Sequence, residues 1–125
     1  MLFRMLYFTD EHMYVRLEGA IASIGYSDYK IANLGKVVEF KSRDVGDFVS
    51  EGSHVVWLQL DDGILSVASP VAGEVYEKNN ILYKNPQLIT SSPEGEGWLI
   101  KLRLVKWPKD GKFLSRHDYL KRIPS

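Results

Sequence analysis

The sequence predicts a mainly β fold of antiparallel strands, with short helices at the edges. Short apolar runs alternate with polar residues, as they do in strands that bury one face. Turn residues such as Asp61-Asp62-Gly63 separate these runs. The helix-start signals, by contrast, precede stretches long enough for only one or two turns.

Size and composition indicate one globular domain over residues 1–125. Hydrophobic residues make up 45% of the chain and charged residues 26%, which is ordinary for a globular protein. The 16 basic and 16 acidic residues balance, so charge does not suggest binding to nucleic acid or to an anionic membrane. Without cysteine the chain has no disulfide, thiolate metal site or cysteine nucleophile.

The apolar N-terminus, Met1 to Phe8, is too short for a secretory signal and carries an early arginine. No stretch reaches the roughly 18 to 20 apolar residues that span a membrane. We therefore expect a cytoplasmic protein that does not enter membranes.

The first elements follow from alternation and capping. Residues Tyr14 to Ile24 alternate around Glu18-Gly19, which predicts a hairpin. Ser27 can cap a helix of about two turns that Gly35 would close in a left-handed conformation. Its packing residues would be Tyr29, Ile31 and Leu34.

A strand over Lys36 to Phe40 and a turn over Asp44 to Asp47 lead into the central stretch, Val45 to Val75. There the runs Val55–Leu60 and Ile64–Ala68 flank Asp61-Asp62-Gly63. An Asp-Gly pair supplies the positive-φ positions of a two-residue hairpin turn. The tip of this hairpin is the place to look for function.

After the hairpin, Ser69-Pro70 opens a strand in which Gly73 indicates a close backbone approach. Asn85 followed by Pro86 predicts one helical turn over Pro86 to Ile89. The polar, glycine-rich stretch from Thr90 to Gly97 predicts a surface loop.

The run Trp98 to Val105 alternates as a long strand, with Trp98, Ile100, Leu102 and Leu104 on one side. Trp107-Pro108 ends it, and Lys109-Asp110-Gly111 forms a turn. Ser115 and Asp118 have the spacing of a helix start, with Tyr119, Leu120 and Ile123 available to dock on the sheet.

No catalytic or metal constellation emerges from these elements. Asp61 and Asp62 are adjacent carboxylates that cannot supply the oxygens calcium needs, and they fit turn chemistry better. His12, His54 and His117 are scattered without ligand spacing. Phosphate loops and nucleophile elbows are absent, so we expect no enzyme activity.

Trp57 lies on a strand near the tip. We favour a core position for it, but an exposed tryptophan there would indicate a binding patch.

The motifs resemble those of the glycine cleavage system H-protein family, within the lipoyl/biotinyl carrier domains. The similarity runs from about Gly19 to Lys101 and is carried by Val45-Gly46-Asp47, Ser69-Pro70-Val71, Gly73-Glu74-Val75 and, most specifically, Gly95-Glu96-Gly97-Trp98-Leu99-Ile100-Lys101. It implies a lipoyl-domain-like barrel-sandwich hybrid with short flanking helices and a C-terminal helix. It also implies a non-enzymatic shuttle that carries an aminomethyl group on lipoate.

The family's attachment lysine precedes the proline of Ser-Pro-Val by eight residues, and that position here is Asp62. No lysine lies between Lys41 and Lys78, so we expect no lipoyl cofactor. Lys36 and Met13-Tyr14 also depart from the family pattern, which has acidic residues and a tryptophan at these places. The site residues we single out are Trp57, Asp61, Asp62 and Gly63 at the hairpin tip.

Three hypotheses follow from this combination of a retained scaffold and a tip without lysine. The first is a non-lipoylated homologue that binds glycine cleavage components or other lipoate-system proteins as an assembly or regulatory module. The second is a domain that binds a free, lipoate-like small molecule. The third is a working aminomethyl shuttle that is modified elsewhere. An exposed hairpin edge also makes a homodimer plausible.

Overall fold

The computed structural model describes residues 4–108 and 113–124. The turn expected at Lys109-Asp110-Gly111 lies outside them. The strands are β1 (Arg4–Phe8), β2 (Met13–Glu18), β3 (Ile21–Tyr26), β4 (Val37–Ser42), β5 (Phe48–Val49), β6 (His54–Leu60), β7 (Gly63–Ala68), β8 (Ala72–Lys78) and β9 (Ile100–Lys106). The helices are α1 (Asp28–Ala32), α2 (Ile81–Lys84), α3 (Leu88–Ser91) and α4 (Arg116–Arg122).

The strands form two antiparallel sheets. The larger has six strands in the order β1-β2-β3-β9-β8-β5, and the smaller has three in the order β4-β6-β7. Aliphatic side chains from both sheets form the main core, including Val15, Ile24, Leu58 and Leu102, each fully buried. The mainly β, antiparallel fold predicted from the sequence is confirmed.

A second, smaller core consists of Phe8, Tyr14 and Tyr119. The rings of Phe8 and Tyr119 are stacked, with centroids 4.6 Å apart. Leu114 joins the cluster and pairs with Phe8 through two backbone hydrogen bonds. This core attaches the C-terminal helix α4 to the edge strand β1.

The first hairpin and the flanking caps form where local chemistry places them. β2 and β3 pair in register, and Gly19 takes a positive φ of 62° in the turn. Ser27 Oγ accepts a hydrogen bond from the Lys30 N–H at the start of α1. Ser115 Oγ accepts one from the Asp118 N–H at the start of α4.

One helix boundary and one docking residue were predicted wrongly. α1 ends at Ala32, where the Asn33 side chain donates to the Tyr29 carbonyl, and Gly35 does not take a positive φ. Ile31 is buried as expected, whereas Leu120 on α4 is 53% exposed instead of docked. A helix of seven residues presents only one side to the sheet, and Tyr119 occupies that side.

The segment between β8 and β9 differs most from expectation. No sequence pattern predicted α2. The turn predicted over Pro86 to Ile89 is present, since the Ile89 N–H donates to the Pro86 carbonyl at 3.1 Å, but the helix that it opens, α3, extends to Ser91. Trp98 precedes β9 instead of belonging to it and packs against the smaller core. The expected surface loop is partly internal, because Pro93 and Gly97 are buried.

Candidate functional site

The hairpin tip consists of Asp61 and Asp62, because Leu60 already pairs with Gly63 across the ladder. Both aspartates are exposed. Within this turn only Gly63 has a positive φ, of 151°, so the expectation that an aspartate shares that conformation is wrong. A tight turn between the two strands is confirmed, but its two residues are Asp61 and Asp62 instead of the Asp-Gly pair.

A side-chain amide that sequence reasoning missed fixes the turn. Gln59 Nε2 donates to the carbonyl oxygens of Leu60, at 2.9 Å, and Gly63, at 3.1 Å. Both carbonyls lie at the base of the tip, so the amide holds the two strand ends together. Glutamine has no turn preference that would have predicted this contact.

The strand register places one lysine beside the tip. Val37, the first residue of β4, pairs with Leu60, so Lys36, which precedes it, lies next to the turn. Lys41 pairs with Trp57, further from the tip. Lys78 is engaged elsewhere, since its amine donates to Asp44 at 3.2 Å.

Trp57 is half-buried in the middle of β6, between Lys41 on β4 and Ser66 on β7. It is therefore neither the core residue we favoured nor a fully exposed contact. The tip and Trp57 share a strand but not a site: Trp57 lies three residues before Leu60, where the turn begins.

A pocket of about 470 Å³ lies along β7. Its lining combines the β1–β2 turn, exposed residues of β7, the segments next to both ends of the β6–β7 hairpin, and Phe113. The lining residues are Thr9, Asp10, Glu11, Met13, Tyr26, Glu51, Gly52, Ser66, Ala68, Ser69, Pro70 and Phe113. No lysine or arginine is among these described residues. Burial raises the pKa of Tyr26 to about 12, so this hydroxyl stays protonated at neutral pH.

One wall of the pocket is tied to the C-terminal helix. The Tyr119 hydroxyl lies 2.9 Å from His12 Nδ1 and 2.7 Å from Ser27 Oγ. His12 has a positive φ of 68° in the turn that contributes Thr9, Asp10 and Glu11 to the pocket. Docking of α4 therefore helps fix the shape of this wall.

The signature stretch from Gly95 to Lys101 has a structural role. The Asn79 amide donates to the carbonyl oxygens of Glu96, at 2.8 Å, and Trp98, at 2.6 Å. Gly97 is buried against the Leu88 carbonyl, where a Cβ atom would clash. These contacts hold the entry to β9 in place.

The described residues hold neither a candidate metal cluster nor a membrane-spanning helix. In residues 4–108 and 113–124, no group of three or more histidine, aspartate or glutamate side chains could hold a metal ion. None of the helices in the described part of the chain has the length and apolar character needed to cross a membrane.

Comparison with known proteins gives consistent results. The family model described as glycine cleavage H-protein matches residues 6–125. A glycine cleavage system H protein of Crocosphaera subtropica is 38% identical over 116 residues, covering 91% of this chain and 86% of its own length. One from Xanthobacter autotrophicus is 36% identical over 112 residues, covering 90% of each.

The fold has a solved counterpart. A crystal structure of a glycine cleavage system H protein from Mycobacterium marinum has a TM-score of 0.81 and covers 94% of both chains. Its identity is 22%, so it supports the fold alone. The expected barrel-sandwich arrangement is confirmed.

Proposed function

The chain belongs to the glycine cleavage H-protein family, and from this premise we propose that it is a homologue without a lipoyl group. It acts as a binding, assembly or regulatory module of a lipoate-dependent system. The family is one of carrier proteins and not of enzymes. In this proposal the chain keeps the carrier fold and its binding surfaces but lacks the lysine that attaches lipoate.

The observation that carries the proposal is the hairpin tip. Asp61 and Asp62 fill the turn, and a carboxylate cannot form the amide that links lipoate to a primary amine. The rest of the scaffold is retained, including Gly73, which allows β8 to approach β9 closely. A folded scaffold with a changed tip fits binding better than group transfer.

The partners we propose are glycine cleavage components or other proteins of a lipoate-dependent system. A carrier must fit the surfaces of the proteins that it serves, so a homologue with the same fold can still reach them. The acidic tip would alter the fit, because a neutral amide-linked arm is replaced by two charges.

Intact-mass spectrometry after co-expression with an active lipoylation system tests the missing modification. The wild-type chain should keep its unmodified mass. Asp62→Lys restores an amine at the tip and should gain one lipoyl group, while Asp61→Lys, one residue out of register, should gain little. A wild-type mass raised by one lipoyl group would contradict the proposal.

If the wild-type chain does gain a lipoyl group, the register of β4 indicates where the group would be attached. Lys36 is the lysine beside the tip, so peptide mapping would look there first. If Lys36→Arg abolished the added mass, the third hypothesis, a shuttle modified elsewhere, would replace ours.

The binding role is tested with purified glycine cleavage components and a lipoylated H protein, each immobilised separately. Retention of the wild-type chain by at least one of them supports the module. Retention by none would count against it, whatever the lipoylation result. A variant with Asp61 and Asp62 both changed to Asn measures how much the acidic tip contributes.

A second candidate function depends on the pocket. Its volume of about 470 Å³ is that of a small-molecule site, and Met13, Tyr26 and Phe113 give it an apolar surface. A ligand of the folded state raises Tm as its concentration exceeds its Kd. A Tm that rises with lipoamide in the wild type, and less in Ser66→Trp, would favour this candidate.

A further inference from the structure

Strand β7 is an open edge of the three-stranded sheet. It pairs with β6 on one side only. Within the described residues, the backbone of residues 64–68 makes no hydrogen bond beyond that ladder. Alternate N–H and C=O groups of such a strand point away from its partner and remain available for pairing.

The other three sheet edges carry recognised protection against strand pairing. β1 is covered at Phe8 by the backbone pairing with Leu114, and β5 has only two residues. β4 presents the charged side chains Glu39 and Lys41 and has a register shift between Val37 and Glu39.

β7 has none of these devices. Its sequence from Gly63 to Ala68 contains no charge and no proline. The register shift in this hairpin lies on β6, between His54 and Val56. Ile64 is 67% exposed, and Ser66 and Ala68 are also exposed. An uncharged, regular edge of six residues is a ready template for another strand.

The pocket runs along this edge. Ser66 and Ala68 of β7 form part of its lining, together with Met13, Tyr26 and Phe113. An extended segment added to β7 would therefore place alternate side chains over an apolar surface.

The charge of the lining favours one kind of segment. The three ionisable carboxylates are those of Asp10, Glu11 and Glu51, with no basic residue among the described lining residues. Asp10 is paired with Arg122 at 2.9 Å, and Glu51 is engaged as well, which leaves Glu11. Glu11 is exposed and forms no ion pair within the described part of the chain, so it can attract a basic side chain.

We propose that β7 is the docking edge for an extended peptide segment of a partner protein. Every second residue of this segment faces the pocket, and these pocket-facing residues are apolar except for one that is basic. The segment adds as a fourth strand to β4-β6-β7, with apolar side chains in the pocket and a basic side chain near Glu11. The proposal rests on the proposed function, since it names the surface through which the module binds.

The probe is a fluorescent eight-residue peptide, titrated against the full chain, in which serine alternates with the pocket-facing residues valine, valine, lysine and valine. Saturable binding is expected, and the same peptide with glutamate in place of the lysine should bind at least about fivefold more weakly. Two further versions of the first peptide are N-methylated, one at the odd-numbered and one at the even-numbered backbone nitrogens. Only the version whose methylated nitrogens face β7 should bind more weakly, because alternate N–H groups of a strand point to opposite sides. Amide hydrogen exchange along β7 should slow when the first peptide is bound.

Two variants with the same charge change locate the site. Ser66→Lys places a charge on the β7 edge and should weaken binding at least tenfold, whereas Val38→Lys on the β4 edge should leave it within twofold. Both positions are exposed, so the fold should be retained, as circular dichroism would verify. Glu11→Gln should weaken binding about two- to fivefold, the size of one surface charge pair.

Several results would overturn the proposal. Absence of saturable binding at millimolar peptide is one, and equal loss with Ser66→Lys and Val38→Lys is another. A dimer in sedimentation that Ser66→Lys converts to monomer would assign the edge to a second copy of the chain. If an immobilised lipoate-system protein retains Ser66→Lys as well as wild type, the docking edge is wrong and the binding module stands.

Discussion

Replacing Tyr119 by phenylalanine tests whether α4 is held to the sheet by its hydroxyl. The side chain is 3% exposed and its hydroxyl is within hydrogen-bond distance of Ser27 Oγ and His12 Nδ1. Phenylalanine keeps the stacking on Phe8 and removes only these two contacts. At about 0.5–1.5 kcal/mol for each hydrogen bond, Tyr119→Phe should lower the free energy of unfolding by about 1–3 kcal/mol.

Urea unfolding followed by circular dichroism measures that loss, and an unchanged m-value would show that only stability has changed. For a chain of this length the unfolding entropy is about 0.26 kcal/mol/K, so a loss of about 2 kcal/mol lowers Tm by about 8 °C. Tyr76→Phe is the matched control, because Tyr76 is 45% exposed and its hydroxyl forms no hydrogen bond in the described residues. If the two variants were equally stable, the Tyr119 hydroxyl would not hold α4.

Two further predictions concern packing and pH. Gly73→Ala should lower the free energy of unfolding by about 1–3 kcal/mol, because the added Cβ atom would clash with the Arg103 carbonyl. Gly35→Ala is the control, since Gly35 faces open space and the change should be neutral or slightly stabilising. Equal urea midpoints for the two variants would contradict this prediction. Tyr26 has a folded-state pKa of about 12 against 10 in the unfolded chain, so its stabilising contribution is complete below pH 10 and is lost as pH rises to 12. Tyr26→Phe should flatten the fall of Tm in that range, and an unchanged slope would refute the assignment.

Local chemistry explains which elements the sequence predicted. Ser27 and Ser115 cap helices because a serine hydroxyl reaches the N–H three residues on, whatever surrounds it. The Asp61-Asp62-Gly63 turn and the alternating strands beside it follow equally short-range rules. The family motifs added the sheet arrangement, which periodicity alone leaves open.

Elements with weak local signals were missed or misplaced. α2 has four residues and no side-chain cap, so no pattern predicted it. The residue that closes α1 was misjudged because Asn33 ends the helix with a side-chain hydrogen bond, which made Gly35 unnecessary. Trp98 was assigned to the long strand by alternation, but β9 begins at Ile100. Leu120 was expected to dock on the sheet because it is apolar, but Tyr119 takes that position and Leu120 is 53% exposed.

The sequence by itself determined the hairpin, its acidic tip and the absence of a lysine there, because these depend on residues adjacent in the chain. Only the tertiary structure decided that Lys36 lies beside the tip and that β7 borders a pocket. Both depend on pairing between distant segments, since Lys36 reaches the tip through β4 and the far wall of the pocket comes from the β1–β2 turn. Such contacts are set by the register and packing of whole sheets, which no local pattern of residues specifies.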